Sequence, residues 1–210
     1  MSKKEIFKRI KEKFKAKKEL ALLTLLLLVI ATVPDTSAFF TTKQVAHNVI
    51  TSGAVVIDLQ ETTLNGNGEE KPYPKDPVVG VMPGREHSKI VRVKNTGEQP
   101  AWIRIRVEIS VEDAAGKQLP ADKVSIQYDD QYWLEEDGYY YYKTKLAAGA
   151  RTQPLFREVV FDTSMGNEYQ NSTVTVEVIA HGVQSANNEI PKTPAGADVT
   201  DVKGWPSLGT

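Results

Sequence analysis

From Gly53 onward apolar side chains recur at every second position, the period of a strand with one buried face rather than the 3.6 of a helix. The stretch 101–111 is the clearest: Ile103, Ile105, Val107, Ile109 and Val111 share one face, while Trp102, Arg104, Arg106, Glu108 and Ser110 share the other. The first row is predicted to face the core and the second to lie outside it. The same alternation runs through Val55, Ile57 and Leu59, through Val91 and Val93, through Val124 and Ile126, and through Val174, Val176 and Val178. Leu155, Arg157, Val159 and Phe161 oppose Phe156, Glu158 and Val160.

Turn chemistry punctuates these runs at Pro83-Gly84, Asn95-Thr96-Gly97, Ala115-Gly116, Asp137-Gly138 and Met165-Gly166-Asn167. Tyr132-Trp133-Leu134 and the tyrosines 139–142 flank Glu135-Glu136-Asp137-Gly138, which predicts a hairpin with an acidic tip. About nine short strands and no helical pattern after residue 38 predict an all-β chain, an antiparallel β-sandwich of jelly-roll or immunoglobulin-like type. Two stretches lack strand character: the Gly, Pro and charge-rich 63–76, predicted as a loop, and the polar, proline-bearing 189–210, predicted as a surface or disordered tail.

The pattern changes character at the N-terminus. Nine Lys or Arg against three Glu in residues 1–19 give a net +6, and Leu20 to Val33 then run fourteen residues without a charge. As a helix that run reaches about 21 Å, short of the roughly 30 Å hydrocarbon core of a bilayer. Pro34-Asp35 end it, and Thr36-Ser37-Ala38 supply small residues for a signal peptidase, so cleavage is expected between Ala38 and Phe39. The expected division is a signal helix over 1–38, an N-terminal strand over 39–52, a β-sandwich domain over 53–188 and a polar tail over 189–210. The whole chain of 210 residues carries a formal charge of −1, which hides this asymmetry. Residues 39–210 hold 17 basic and 23 acidic groups, a net of −6 that does not suit a nucleic-acid partner. The membrane is expected to be met through the precursor signal alone.

Recognisable catalytic chemistry is sparse. With no cysteine there is neither a thiol nucleophile nor a cysteine metal site. The histidines, His47, His87 and His181, lack the spacing of a zinc-protease helix, and neither a nucleophile elbow nor a phosphate loop occurs. No catalytic residue, cofactor or metal is therefore predicted. Three constellations admit two readings each. Asp129-Asp130 with Glu135-Glu136-Asp137 suits either a calcium ion or a solvated rim. Tyr128, Tyr132, Trp133 and the tyrosines 139–142 suit either a stacking platform for a sugar or partner protein, or cross-strand packing. Arg104 and Arg106 beside Trp102 suit either a cation–π ladder or contact with a partner's acidic groups on one reading, or a solvated face on the other.

Several landmarks in order resemble the TasA and camelysin group of Gram-positive exported proteins, processed by a SipW-type signal peptidase. They are Ala38-Phe39-Phe40-Thr41-Thr42, Asn48-Val49-Ile50-Thr51-Ser52-Gly53, Val81-Met82-Pro83-Gly84, the stretch 89–97 ending in Asn95-Thr96-Gly97, Pro100-Ala101-Trp102-Ile103-Arg104, and 176–188 with its Val183-Gln184-Ser185-Ala186-Asn187 exit. The resemblance implies a jelly-roll domain at the cell surface, where members build biofilm-matrix fibres by donating an N-terminal strand to the next subunit. An accessory anchor protein is a further implied partner. Carried onto this chain, the polymerisation strand would comprise Phe39, Phe40, Thr41, Thr42, Val45 and Val49. The same segment can instead fold back as the first strand of its own domain. Camelysin-like members are described as metallopeptidases, but this sequence has no zinc motif to carry that activity. A carbohydrate- or host-protein-binding module using the tyrosine-rich hairpin is the alternative expectation.

Overall fold

The structure, a computed structural model, describes residues 40–43, 48–52, 55–75, 78–186, 188–190 and 197–206, with backbone alone for 40–43, 48, 52 and 78–81. The chain divides into two units, Met1–Ser37 and Ala38–Thr210. The first unit, which holds most of the expected signal helix, lies outside the described residues, as do Ala38, Phe39, Val45 and His47.

The second unit is all-β. Thirteen strands are described: β1 (Phe40–Lys43), β2 (Asn48–Ser52), β3 (Ile57–Leu64), β4 (Glu70–Pro72), β5 (Val78–Val81), β6 (Glu86–Asn95), β7 (Ala101–Glu112), β8 (Gln118–Leu119), β9 (Val124–Ile126), β10 (Trp133–Glu136), β11 (Tyr139–Tyr142), β12 (Phe156–Phe161) and β13 (Thr173–Gln184). One sheet runs β10-β11-β7-β13-β1-β5, with β2 also on β13 and β8 on β7; the other runs β4-β3-β6-β12-β9. Between them lies a single apolar cluster to which both contribute, including Leu59, Val91, Val93, Phe156 and Phe161 from one sheet and Ile103, Ile105, Val111, Val174 and Val178 from the other.

The alternation read from sequence places Ile103, Ile105 and Val111 in this core, with Val107 and Ile109 packed at its margin. Leu155 and Phe156 are both buried although they are consecutive, because the β12–β6 register shifts between Phe156 and Glu158 and turns the strand by one position. The hairpin β10–β11 forms as expected, Glu136 pairing with Tyr139. Its loop residues Asp137 (φ 51°) and Gly138 (φ 74°) are both left-handed, the turn whose twist matches that of the flanking strands.

Residues 63–76 differ from expectation: β3 continues to Leu64 and β4 returns along it, Thr63 opposite Lys71. Asn65 makes this possible by accepting at Oδ1 from the Asn67 and Glu69 amides, so a turn forms inside a composition that reads as loop. The sheet is also not wholly antiparallel. Both β1 and β2 run parallel to β13, the remaining domain serving as the crossover that parallel strands require.

The Asn95-Thr96-Gly97 turn has a structural cause. Asn95 is fully buried; its Nδ2 donates to the Gln99 and Leu146 carbonyls at 2.8 and 3.1 Å, and its Oδ1 accepts from the Gly97 amide at 3.0 Å. One side-chain amide thus ties two loops together, and the Thr96 and Gly97 backbone amides, both donating to Val56 O, add a third segment. Asn95→Ala is expected to strand these groups and lower unfolding free energy by about 3 kcal/mol, which urea titration would read as a drop in midpoint at constant slope.

Candidate assembly edge and the face beneath the C-terminal segment

The segment preceding Gly53 is integrated by its backbone. Thr41, Thr42 and Lys43 pair with Thr173, Val174 and Thr175, and Asn48 through Ser52 pair with Ile179 through Val183. On its other side β1 meets β5 antiparallel, Phe40 opposite Val81 and Thr42 opposite Val78. Phe40, Thr41 and Thr42 therefore stand in a strand inserted between two others, while Val49 stands in β2 with its side chain exposed. Withdrawing β1 would leave a slot lined by the main-chain donors and acceptors of β13 and β5, which any segment of the same strand character can fill.

The second face of β7 is covered around Trp102 and Arg104, while the side chains of Arg106 and Glu108 further along are 37% and 48% exposed. Trp102 is 3% exposed and belongs to a separate apolar cluster with Tyr141, Val183, Val199 and Val202, against which Leu134, Tyr139, Ile190 and Trp205 pack. Val199, Val202 and Trp205 come from the C-terminal stretch expected to be a surface or disordered tail; its described part instead covers the outer face of β11, β7 and β13. The stretch is locally built for this. Asp198 accepts from Thr200 N while Asp201 accepts from Asp198 N, closing a single 3-10 turn over Val199–Asp201. Gly204 takes φ 78° where a Cβ would lie 2.8 Å from Asn188 Oδ1. Trp102 Nε1 donates to Asn188 O at 2.7 Å, fixing the start of the stretch to the strand it covers.

Arg104 is the centre of this layer. Its guanidinium carbon lies 3.9 Å from the Tyr139 ring centroid, 4.8 Å from that of Trp205 and 5.9 Å from that of Tyr141, so the cation–π arrangement is realised around Arg104. Arg104 Nε donates to His181 Nδ1 at 3.2 Å, and Nη2 donates to Pro206 O at 3.4 Å. His181 is fully buried. Because Nδ1 accepts, the proton is assigned to Nε2, which finds no partner. Burial, and then the Arg104 and Arg106 guanidiniums, push this imidazole down to about 4, so it is neutral at pH 7.

The remaining candidates are dispersed. Tyr128 stacks on Tyr140 at 4.0 Å and meets Phe156 edge-on, and Trp133 is buried beside Tyr142, so most of the hairpin's rings are engaged in packing while Tyr132 is exposed. Asp129 Oδ1 accepts from the Gln131 amide at 3.0 Å, which makes it a turn-former. Beside it opens a cleft of about 330 Å³ lined by Asp129, Asp130, Tyr128, Arg157 and Glu158 among others. Among the described residues no three His, Asp or Glu side chains converge as metal ligands. His87 lies on β6, edge-on to Tyr73 at 5.8 Å.

Sequence reasoning missed Lys89 and Glu61, a buried pair on β6 and β3 with Nζ 2.6 Å from Oε1. The signal was present: Lys89 has the parity of Val91 and Val93, and Glu61 that of Ile57 and Leu59. In comparisons with known proteins, no family model, no curated protein and no solved structure matches the chain.

Proposed function

We propose that the chain is an exported structural protein of the cell surface or biofilm matrix, which assembles into fibres when the segment 39–52 of one copy pairs with β13 and β5 of the next. The observation that carries this reading is the place of β1, the first described strand, lodged between two strands that it joins by main-chain bonds. Such bonds are indifferent to which copy supplies the strand. The basic, apolar and small-residue order of residues 1–38 supports export and cleavage by a signal peptidase, and the two facing sheets are compatible with a jelly-roll domain. Copies of the same chain are the main partner, with an accessory anchor protein at the fibre's base. The sugar- or host-protein-binding reading finds less support, because the faces of Tyr128, Tyr139 and Tyr141 are occupied by Tyr140, Arg104 and Trp205.

Electron microscopy of the purified 39–210 form tests the proposal. Filaments are expected whose number rises with concentration, and deletion of 39–52 is expected to abolish them. Val45→Pro is expected to shorten them, since proline removes a ladder donor. Equally long filaments from the truncated protein would place assembly on another surface. Circular dichroism of the truncated form, with and without a synthetic 39–52 peptide, separates loss of assembly from loss of fold.

A further inference from the structure

Lys89 and Glu61 are an unusual use of core space. Their side chains are 2% and 3% exposed, on adjacent strands of one sheet, in rows that otherwise hold Leu59, Val91 and Val93. A buried ion pair returns little net stability, because desolvating two charges costs about as much as their attraction supplies. The dry surroundings instead favour the neutral amine: burial pushes Lys89 down, against the opposing pull of Glu61. Lys89 Nζ stands 4.2 Å over the Tyr73 ring, which closes one side of the pair. His87, two residues before Lys89 on the same strand, stands edge-on to Tyr73. Its Nε2 is buried without a partner, and burial together with the Lys89 charge holds the ring neutral.

We propose that Lys89 and Glu61 condense to an intramolecular isopeptide bond joining Lys89 Nζ to Glu61 Cδ, a covalent tie between β3 and β6. The ion pair first collapses as one ammonium proton passes to the carboxylate, giving an amine and a carboxylic acid. The amine lone pair then attacks Cδ, forming the C–N bond and a tetrahedral centre. That centre expels the carboxyl hydroxyl with a proton taken from the nitrogen, so one water leaves and a secondary amide remains. No electron donor or acceptor is needed. His87, two residues before Lys89 on the same strand and against the same Tyr73 ring, is assigned the transfer of the proton from nitrogen to the departing oxygen. Fixed contact between the reactants supplies the effective concentration, and replacing two buried charges with a neutral amide favours the product. The inference stands apart from the assembly reading and does not depend on it.

Mass spectrometry of the purified full chain tests it, at the level of peptides so that processing at the N-terminus does not interfere. The folded protein is expected to yield a branched peptide joining the Glu61 and Lys89 segments, lighter than the sum of the two by about 18 Da, one water. Glu61→Gln should give the same branch with loss of ammonia, about 17 Da. Lys89→Arg should give none, and neither should a Lys89→Met, Glu61→Leu pair that keeps the core filled. His87→Ala should slow the appearance of the branch after refolding; an unchanged rate would remove His87 as the proton carrier. Two separate, unmodified peptides from folded protein after prolonged incubation between pH 5 and 9, with circular dichroism showing the native fold, would overturn the proposal.

Discussion

Ile105→Ala should remove about 4 kcal/mol of stability, near the upper end for an aliphatic core truncation. Ile105 is fully buried in the middle of β7, opposite Tyr140 on one side and Ala180 on the other. The surrounding strands are held in register by ladders on both sides, so the cavity cannot collapse by a backbone shift. Its neighbour makes the informative comparison. The period-two reading places Arg104 outside the core, where truncation would cost almost nothing, but the C-terminal layer changes that expectation. Arg104→Ala removes the cation from three aromatic rings and leaves His181 Nδ1 buried without its donor, for an expected cost of about 2 kcal/mol. Urea unfolding of the two variants reads both values. A loss at Arg104 within experimental error of zero would mean that the 197–206 stretch does not cover this face in solution.

Lowering the pH from 7 to 4 should cost about 3 kcal/mol through His181 alone. The sign follows from proton uptake. In the unfolded chain His181 takes a proton near 6.5, while in the folded chain burial and two guanidiniums hold it neutral down to about 4. Between those values the unfolded state binds more protons, so stability falls as pH falls. The loss begins near the unfolded value and levels off below the folded one. His181→Gln keeps an acceptor for Arg104 and cannot titrate, so its stability should be flat over this window apart from the carboxylates. Urea midpoints at pH 7, 5.5 and 4 for both proteins decide it; parallel curves would remove His181 as the cause.

Much of this architecture was legible because strand periodicity is a local property. The rows Ile57-Leu59 and Ile103-Ile105, and the Asp137-Gly138 turn, follow from neighbouring residues and were found where expected. What covers a face is not local. Trp102, Arg104 and Arg106 read as an outer row, and they are one, but nothing within 101–111 tells that Val199, Val202 and Trp205 return to bury part of it. His181 gave no warning for the same reason: its environment is assembled from β7, β11 and the C-terminal stretch. Lys89 and Glu61 were hidden differently. Their parity announced burial, but their charge argued against it, and a reading that sorts residues by polarity first discards the position before asking about its partner. The slot of β1 also required the structure, since pairing between Thr41 and Thr173 depends on two segments at opposite ends of the domain.

That separation has a kinetic side. Chains emerge N-terminus first, and the partners of β1 and β2 on β13 lie 132 positions later for Thr41 with Thr173 and 131 for Asn48 with Ile179. The earliest strand therefore waits for the last one, and contacts of such sequence separation are the slow part of folding. Under the proposed assembly, a neighbouring molecule whose β13 is formed and whose own segment 39–52 is engaged elsewhere offers the same ladder ready-made during that wait. Once the chain is complete the contest reverses, because the tethered segment is at millimolar effective concentration beside its own slot. Under the proposed assembly, the outcome for each chain is thus a race between pairing with its own last strand and meeting a neighbour whose slot is open, and local crowding sets the odds.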